Sequence, residues 1–353
     1  MIDIVVIGAG MAGLACAQQL RQAGYLVQVV EKSRGLGGRV ATRRLYDTWA
    51  DHGACYLKPK GELLKRFVEI LCDRQILKVW TDTVYELNPN LEFNTQNSVL
   101  RYIAPTGMSA IAKFLAQDLD ILLNQRVIAI TLTPENNWRL TLESNNEELI
   151  AKALVVAIPA PQALMLLAPL GESLLDATFL ENLRAVEFYP SISAIAGYPA
   201  TSQPLPPWKA LTFVDDVDLA WIGLDSSKRP NPQQPHFVVQ SSANFAQRHL
   251  ESEDLQPAGQ YLLQRAAESL ALPWLNTPKW MQVHRWRYAF PSRPWHEAFL
   301  STETPLPLVC CGDWCGGNLV EDAMLSGLAA ASEINNQLHR VTLDNVNFLK
   351  LFS

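Results

Sequence analysis

The sequence predicts an α/β protein in which a Rossmann-type domain is joined to a smaller α+β domain with an antiparallel sheet. Three observations indicate this class. The chain has 353 residues, which is enough for two domains and a large core. Its N-terminal residues 1–40 read as strand, glycine-rich turn, helix and strand. From residue 186 to about residue 300, short strands with aromatic residues and prolines dominate, as in an antiparallel sheet.

The composition is that of an ordinary soluble globular protein, with 48% hydrophobic and 18% charged residues. A formal net charge of -6 argues against a nucleic-acid or anionic-membrane partner. The chain starts directly on a strand and has no apolar stretch long enough to span a bilayer, so we expect no leader peptide, no membrane partner and a cytoplasmic location. The six cysteines show neither a metal-ligand spacing nor a disulfide framework, so we expect reduced, buried thiols and no metal.

The N-terminal unit carries a complete dinucleotide-binding fingerprint. An apolar strand over residues 2–7 leads into Gly-Ala-Gly-Met-Ala-Gly, and a helix follows over residues 14–23. A second apolar run over residues 26–30 then ends on Glu31. The sequence therefore predicts a strand–helix–strand unit that binds an adenine dinucleotide.

Each residue type in this unit has a physical role. Gly8 permits the tight turn, Gly10 lets the backbone approach a pyrophosphate, and Gly13 lets the helix pack close to the strand. The helix N-terminus presents unpaired N–H groups to the phosphates. Glu31 is placed to accept hydrogen bonds from a ribose, and it disfavours a 2′-phosphate. A glycine-rich turn without a ligand is the alternative. The predicted contacts are Gly8, Gly10, Met11, Ala12, Gly13, Glu31 and Lys32.

A second glycine-rich segment follows at residues 34–39. Its glycines, Gly38 among them, suit a backbone that lies against a polyanion, while Arg39 contacts a phosphate. A solvated surface loop is the alternative. Residues 49–56 then read as a strand that enters a tight turn at Gly53.

Together these segments resemble the FAD-dependent amine oxidase superfamily. The resemblance is carried by residues 8–13, Glu31, residues 34–39 and the Asp-His-Gly-Ala segment at 51–54. It implies that the cofactor is FAD, because the fingerprint alone does not separate FAD from NAD. In that superfamily the second motif lies beside the pyrophosphate and the third beside the flavin ring. The contacts that the resemblance adds are Gly38, Arg39, Gly53, Ala54 and, as the residue that clamps the adenine, Val127.

The C-terminal part carries a closing motif of the same superfamily. A strand over residues 306–311 leads into Gly312 and Asp313, and a helix of small and apolar residues covers residues 323–338. Asp313 is placed to hydrogen-bond a ribityl hydroxyl, or it serves only as a turn residue before the helix. The helix N-terminus is placed to stabilise negative charge at N1 and O2 of a reduced flavin. The contacts expected there are Val320, Asp322 and Ala323.

Between these motifs the chain alternates between helices and strands. Apolar residues at helical spacing predict helices over residues 61–72, 108–117 and 254–272, and a broken helical stretch over 163–183. Strand-like runs cover residues 119–132, 138–144, 148–156, 192–198, 210–214, 220–224 and 237–241.

We expect this chain to form two domains. A Rossmann-type, amine oxidase-like FAD-binding domain takes residues 1–75, 101–170 and 300–340, a substrate domain takes 76–100 and 171–299, and residues 341–353 form a C-terminal tail. The substrate domain, with its antiparallel sheet, would cover one face of the cofactor.

Within the superfamily the chain looks most like the renalase family. This resemblance is carried by residues 237–242, 280–289 and 312–314. It implies an FAD-dependent oxidase that takes a hydride from 2- or 6-dihydro isomers of NAD(P) onto flavin N5, restores NAD(P) and produces H2O2 with O2 as acceptor. A dihydropyridine nitrogen donates its lone pair as the hydride leaves. The reaction therefore needs no general base, and no catalytic side chain is assigned.

Two features of amine oxidases are missing from the sequence. The strand matched to the one over the flavin, residues 189–198, has no lysine, whereas amine oxidases usually place one there. A Ser-Gly-Gly-Cys stretch of the kind that attaches flavin covalently in monoamine oxidases is also absent. We therefore expect non-covalent FAD. The alternatives are an amine or amino-acid oxidase, and a flavoprotein that uses FAD structurally as a sensor or binding module.

The candidates for the substrate pocket lie in the second domain. Gln240, Ser241 and Ser242 end a strand and offer hydrogen bonds to a carboxamide or a ribose. Arg287 and Tyr288 follow alternating aromatic residues, where a planar ligand could be sandwiched. An interdomain salt bridge fits Arg287 equally well.

Five further residues of this domain are not counted among the substrate candidates. Trp221 and Trp286 are expected in the core, and His284 is either structural or functional. Lys228 and Arg229 are expected in a solvated loop, and contact with phosphates of the substrate is the alternative.

Overall fold

The computed structural model describes residues 1–46, 48–95, 99–144, 147–172, 174–200, 204–230, 232, 234–338, 348–350 and 352. Its strands are β1 (Ile2–Ile7), β2 (Val27–Glu31), β3 (Thr42–Leu45), β4 (Thr48–Asp51), β5 (Lys78–Thr81), β6 (Tyr85–Leu87), β7 (Phe93–Thr95), β8 (Arg101–Ile103), β9 (Asp120–Leu123), β10 (Val127–Leu132), β11 (Trp138–Leu142), β12 (Glu148–Val156), β13 (Glu187–Gly197), β14 (Ala210–Phe213), β15 (Leu219–Leu224), β16 (His236–Ser241), β17 (Trp280–Arg293), β18 (Leu300–Thr302) and β19 (Leu308–Cys310). The α-helices are α1 (Met11–Gln22), α2 (Glu62–Asp73), α3 (Ser109–Leu115), α4 (Ala160–Leu167), α5 (Ala177–Ala185), α6 (Ala243–Arg248), α7 (Gln256–Ser269) and α8 (Val320–Gln337).

The first sheet has eight strands in the order β10-β11-β12-β1-β2-β9, with β19 beside β12 and β18 beside β19. The central pairs β12–β1, β1–β2, β2–β9 and β12–β19 are parallel. Val5 and Val6 point to opposite faces, and each lies fully buried in a different hydrophobic cluster. This two-sided burial explains why β1 is apolar at successive positions. In such a sheet, ligands bind at the carboxyl ends of the parallel strands.

The second sheet has seven strands in the order β17-β13-β16-β15-β14-β6-β7. Its pairs are antiparallel except β14–β6. Side chains alternate between its faces. Ala194 and Val239 join the cluster that contains residues of α6 and α7, whereas Ile195 and Val238 face the core around α1. One face of this sheet is therefore directed at the first half of the molecule.

Smaller elements connect the two sheets. Strands β3 and β4 form an antiparallel hairpin, and β5 pairs with β8. Helices α1 and α8 pack so closely that a Cβ atom on Gly327 would lie 2.1 Å from the carbonyl oxygen of Ala12. Glycine at position 327 therefore permits this helix contact.

The α/β class and the antiparallel-rich second sheet are confirmed, and the main differences are local. Helix α1 begins at Met11 instead of residue 14, because Gly10 already occupies the extended N-cap position. Residues 76–100, predicted as one segment of the substrate domain, contribute β6 and β7 to the second sheet but β5 to a separate pair. The division into domains stays a prediction.

The end of the chain is described only in part. Of the predicted tail at 341–353, residues 341–347, 351 and 353 lie outside the described residues. Phe352 is buried, with its ring 5.0 Å from that of Phe114. No helix in the described part of the chain is long and apolar enough to cross a membrane.

Candidate functional site

The glycine turn between β1 and α1 forms the base of the site. Gly8 has φ +105°, a conformation that glycine adopts readily. A Cβ atom on Gly13 would lie 2.0 Å from the carbonyl oxygen of Gly8, so helix and turn touch through backbone atoms. A Cβ atom on Gly10 would meet nothing within 4 Å, and the first turn of α1 carries no acidic residue. Open space beside a helix N-terminus without carboxylates suits a phosphate group.

Glu31, at the end of β2, is hydrogen-bonded to this turn. One of its carboxylate oxygens accepts a hydrogen bond of 2.8 Å from the backbone N–H of Ala9, and the other accepts one of 2.8 Å from Ser33. The backbone N–H of Gln125 donates to the carbonyl of Glu31 at 3.0 Å, which brings the predicted adenine-clamping residue Val127 close to the same place. Each carboxylate oxygen keeps a free lone pair for a ligand hydroxyl.

The second glycine segment packs directly onto the first. The N–H of Gly37 donates to the carbonyl of Ala9 at 2.9 Å, and a Cβ atom on Gly38 would lie 3.5 Å from the Cα of Gly10. Both glycines have positive φ, +106° and +56°. The structure therefore brings the two predicted pyrophosphate-facing segments together. Lys32 lies outside this contact, exposed, with its Nζ 3.3 Å from Oε1 of Gln162.

Arg39 connects the glycine segments to the closing motif. Its guanidinium donates two hydrogen bonds to the buried carboxylate of Asp313, at 2.7 and 2.5 Å, and one to the carbonyl of Ala289 at 3.0 Å. This charge-assisted pair joins the loop after β2, the end of β17 and the loop after β19. Two residues predicted to contact the cofactor separately are thus held by each other.

The N-terminus of α8 follows the closing motif. The carboxylate of Asp322 accepts hydrogen bonds from the N–H groups of Asn318 and Leu319, at 2.9 and 2.8 Å. Glu321, its neighbour, accepts from the N–H groups of Gly61 and Leu64 and so caps α2. Val320 and Ala323 are half-buried in the same turn. The first turn of α8 thus holds two carboxylates, each satisfied by backbone donors.

The segment 52–55 is where the two sheets meet. The N–H of Ala54 donates to the carbonyl of Arg39 at 2.9 Å, and a Cβ atom on Gly53 would lie 2.0 Å from that same oxygen. From the second sheet, Ser193 Oγ donates to the carbonyl of His52 at 2.8 Å, and Gln240 Nε2 donates to the carbonyl of Gly53 at 2.9 Å. The predicted flavin-side segment is therefore held by backbone on one side and by side chains on the other.

Those side chains form a row across four neighbouring strands. Ser193 on β13 is paired with His284 on β17 and with Gln240 on β16, and Gln240 is paired with Trp221 on β15. Residues directly opposite one another share a face of the sheet. Trp286, two residues beyond His284, donates from Nε1 to the carbonyl of His52 at 2.9 Å. Hence the row and Trp286 face residues 52–55.

The rings of His52, His284 and Trp286 form a compact cluster. His52 stacks on Trp286 with ring centroids 5.2 Å apart and meets the edge of His284 at 4.8 Å. Burial, His284 and Arg43 lower the pKa of His52 to about 3, and burial and Arg43 lower the pKa of His284 to about 4. Both imidazoles are therefore neutral at pH 7. Nδ1 of His52 is buried without a hydrogen-bond partner among the described residues.

A buried ion cluster supports the start of this segment and corrects the expectation for Lys228 and Arg229. Both were expected in a solvated loop, but both are buried. Lys228 Nζ lies 2.5 Å from Asp225 and 3.4 Å from Asp51, and it donates to the carbonyl of Cys55 at 2.7 Å. Arg229 pairs with Asp51 at 2.9 Å and with Asp225 at 2.6 Å. Asp225 lies only three and four positions before Lys228 and Arg229, but Asp51 comes from a distant strand, so the sequence does not show that these groups are buried together.

The cluster is balanced in charge. Burial alone would raise the pKa of Asp225, but Lys228 and Arg229 outweigh it and hold the pKa well below its usual range. Burial would likewise lower the pKa of Lys228, but Asp225 and Asp51 raise it above its ordinary value. Asp225, Lys228 and Arg229 therefore stay charged in the interior, where removal of one partner is costly.

The substrate candidates occupy different places. Gln240 contacts Gly53 as described, whereas the hydroxyls of Ser241 and Ser242 are engaged in hydrogen bonds to backbone groups. Ser241 Oγ donates to the carbonyl of Ser242 at 2.9 Å, and Ser242 Oγ accepts from the N–H of Phe245 as the cap of α6. Arg287 pairs with Glu251 at 2.5 Å. The structure thus brings Gln240 to the meeting point of the sheets, engages both serine hydroxyls in backbone hydrogen bonds and pairs Arg287 with Glu251.

Arg287 points away from the histidine cluster. Arg285 and Arg287 both donate to the carbonyl of Leu250, in the loop after α6, whereas His284 and Trp286 face His52. Tyr288 packs its ring edge-on to Phe188 at 5.6 Å. Trp221 is buried as expected, but Trp286 is only half-buried. Sequence reasoning missed His52 and Trp286 as site residues; the alternation of aromatic residues along β17 was the available signal.

Comparisons with known proteins agree with this geometry. A family model described as flavin containing amine oxidoreductase matches residues 83–335, and one described as NAD(P)-binding Rossmann-like domain matches residues 6–71. Renalase of Mus musculus is 25% identical over 303 residues, which cover 82% of this chain and 85% of that protein. An L-amino-acid oxidase of Crotalus adamanteus is 41% identical, but over 66 residues that cover 19% of this chain and 13% of that protein.

Solved structures show the same fold. A putrescine oxidase structure with bound putrescine superposes with a TM-score of 0.69 at 14% identity, covering 95% of this chain and 99% of that one. Cyclohexylamine oxidase from Brevibacterium oxydans gives a TM-score of 0.68 at 15% identity, covering 96% and 100%. At these identities the likeness concerns the fold alone.

Proposed function

From the premise that the chain belongs to the flavin-containing amine oxidoreductase family and is a renalase-like, FAD-dependent oxidoreductase, we propose that it oxidises 2- and 6-dihydro isomers of NAD(P). The products would be NAD(P) and hydrogen peroxide, with oxygen and one proton consumed. The small-molecule substrate would lie against the face of the second sheet that contacts residues 52–55. A cytoplasmic location stays a prediction.

The FAD-binding residues of this proposal are those at the carboxyl ends of the first sheet and the segments packed on them. They fit the group, because the space beside Gly10 is open and the adjoining turns meet through glycine backbone. The proposed contacts, all non-covalent, are Gly8, Gly10, Met11, Ala12, Gly13, Glu31, Lys32, Gly38, Arg39, Gly53, Ala54, Val127, Gly312, Asp313, Val320, Asp322 and Ala323. When bound, FAD supplies the acceptor for a hydride and passes the electrons to oxygen.

One observation carries the choice of substrate: the row facing residues 52–55 consists of neutral groups. His284, Ser193 and Gln240 offer hydrogen bonds, and both histidines of the cluster are uncharged at pH 7. Strand β13, which carries Ser193, contains no lysine. This row presents no carboxylate to hold an ammonium group. A dihydropyridine needs neither a carboxylate partner nor a base, so its oxidation depends on positioning alone.

The chain's own residues would then bind and orient the substrate. Gln240 and Trp286 fix the backbone of residues 52 and 53, and the ion cluster fixes the carbonyl of Cys55. These contacts hold the segment still while a ring is placed against it. Amine or amino-acid oxidation is the first alternative, and a structural or sensing use of FAD is the second.

The test is anaerobic mixing of the purified holoprotein with 2- or 6-dihydro-NAD and, separately, with a panel of amines and amino acids, while flavin absorbance is followed. Bleaching by the dihydro isomers supports the proposal. Bleaching by amines or amino acids alone rejects it, and bleaching by none of them favours the structural alternative. Acid or heat treatment should release all the flavin; colour that stays with the precipitate would contradict non-covalent binding.

A further inference from the structure

Arg43, in strand β3, is half-buried, and no carboxylate among the described residues pairs with it. Arg39, Arg229 and Arg287 each pair with an acid. Arg43 forms no ion pair with any residue that the structure describes, although its side chain is half-buried. A guanidinium that gives up part of its water without a protein anion is suited to an anionic ligand.

The hairpin places Arg43 next to the histidine cluster. Arg43 lies directly opposite Ala50 in the β3–β4 pair, and His52 follows two positions after Ala50, on the same side of the strand. The charge of Arg43 contributes to the lowered pKa values of both His52 and His284. Arg43 is therefore near both imidazoles, and it helps keep them neutral and able to donate an N–H.

The same hairpin runs along strand β17. At one end the ring of Tyr46 lies 5.4 Å from that of Trp280, and at the other end His52 stacks on Trp286 at 5.2 Å. Between these contacts β17 carries His284, which is half-buried and so open to a ligand. The two tryptophans are six positions apart, a span of about 20 Å along the strand.

We propose that this stretch between hairpin β3–β4 and strand β17 binds the phosphate-bearing part of a dinucleotide, with Arg43 as the anion-binding residue. The inference rests on the proposed function, because it names the anionic portion of that same substrate. A planar guanidinium forms paired hydrogen bonds to phosphate oxygens, and the neutral imidazoles of His52 and His284 add N–H donors. The flanking aromatic rings give flat surfaces on which a base can stack.

The charge of the site decides between ligand classes. A cationic amine would have to approach the guanidinium of Arg43, which no carboxylate in the described part of the chain neutralises. The residues that form the ring contacts, Tyr46, Trp280, His52 and Trp286, include no acid. A phosphate would gain a charge-assisted contact in a place partly removed from water. The observations therefore favour a dinucleotide over an amine at this position.

The test is calorimetric titration of the purified holoprotein with NAD+ as an unreactive probe, and with nicotinamide riboside as a probe that lacks phosphates. The variant is Arg43→Gln. The matched control is Arg44→Gln, which removes the same charge from the exposed neighbouring position on the other face of the hairpin. We expect R43Q to weaken NAD+ binding about tenfold or more, R44Q to change it less than twofold, and the riboside to be unaffected by either.

Three results would overturn the inference. They are unchanged NAD+ affinity in R43Q, no NAD+ binding by the unmodified holoprotein, and loss of FAD from R43Q, which would assign Arg43 to the cofactor instead. If R43Q does not fold, Arg43→Lys keeps the charge but not the paired geometry, and it should still weaken NAD+ binding; wild-type affinity in R43K would count against the inference. If NAD+ binds through Arg43 but dihydro isomers bleach no flavin, the proposed function fails while this inference stands.

Discussion

The two halves of the site are built from different atoms. At the carboxyl ends of the first sheet, glycine backbone meets glycine backbone: Gly13 approaches Gly8, and Gly38 approaches Gly10. On the second sheet, side chains such as Gln240 and Trp286 reach across to carbonyl groups of the segment 52–55. A site made of backbone needs particular residues at fixed short spacings, whereas a site made of side chains needs only the right register between distant strands.

The largest effect of a mutation is expected at the buried ion cluster, where side chains of the second half support a segment of the first. Lys228→Met leaves Asp225 and Asp51 with one cation instead of two, so we expect a loss of about 3–5 kcal/mol in the free energy of unfolding. Denaturant unfolding of the holoprotein measures it.

Two variants serve as controls for that prediction. Lys65→Met removes an exposed lysine on α2 and should change stability by less than about 0.5 kcal/mol. Lys228→Met combined with Asp225→Asn should recover part of the loss, because it removes the unpaired charge. A Lys228→Met variant as stable as the wild type would show that this cluster does not stabilise the fold.

A second prediction isolates the backbone half. Gly13→Ala places a Cβ atom 2.0 Å from the carbonyl oxygen of Gly8, so the turn must move. We expect a loss of about 1–3 kcal/mol in the free energy of unfolding, together with lower FAD content.

Gly10→Ala is the matched change into open space. It should leave the melting temperature of the apoprotein unchanged and still weaken FAD binding, because the Cβ atom occupies the proposed phosphate position. Equal FAD affinity in wild type and Gly10→Ala would remove Gly10 from the cofactor site.

A third prediction concerns the histidine cluster and pH. The folded pKa values of about 3 for His52 and about 4 for His284 lie below the unfolded value of about 6.5. At a pH between the folded and the unfolded pKa, the unfolded chain therefore binds more protons than the folded chain. Stability should therefore fall as pH is lowered from 6.5 to 5, by at most about 2 kcal/mol from His52. His52→Asn should flatten this slope in urea unfolding at several pH values. An unchanged slope would mean that His52 is not held neutral.

The smallest effects separate two substrate candidates. Arg287 is exposed and pairs with Glu251, so Arg287→Gln should change stability by less than about 1 kcal/mol and leave KM for the dihydro isomers unchanged. Gln240→Leu removes the hydrogen bond to the carbonyl of Gly53 and should lower kcat, because residues 52–55 lose a fixed contact. Steady-state kinetics of both variants measure these effects. A change of KM in Arg287→Gln and none in Gln240→Leu would place Arg287, and not Gln240, at the substrate site.

The backbone half was predictable from sequence almost residue by residue. Strand β1 has the predicted bounds of residues 2–7, and Gly8, Gly13 and Gly38 lie where their lack of a side chain is required. Local spacing carries this information because the turn and the helix are adjacent in the chain. The pairing of Arg39 with Asp313 was beyond such reasoning, since 274 positions separate the two residues.

The side-chain half was predictable only in outline. Strands β13 to β16 of the second sheet were predicted, but β17, which carries His284, was not. Nothing local shows that Ser193, Gln240 and His284 stand in one row, because register is set by pairing between distant strands. Lys228 and Arg229, with Asp225 a few positions before them, look like a surface loop until Asp51 from a distant strand is seen beside them. Buried charges are recognised only with their partners.

The central claim is that the first half holds FAD and the second half presents a dihydronicotinamide to it. The most direct measurement is anaerobic rapid mixing of the holoprotein with 6-dihydro-NAD, unlabelled and deuterated at ring position 6, with flavin absorbance and released NAD+ both recorded. We predict bleaching matched by an equal amount of NAD+, and slower bleaching with the deuterated substrate. Absorbance that does not change with either substrate, but bleaches with an amine, would contradict the account.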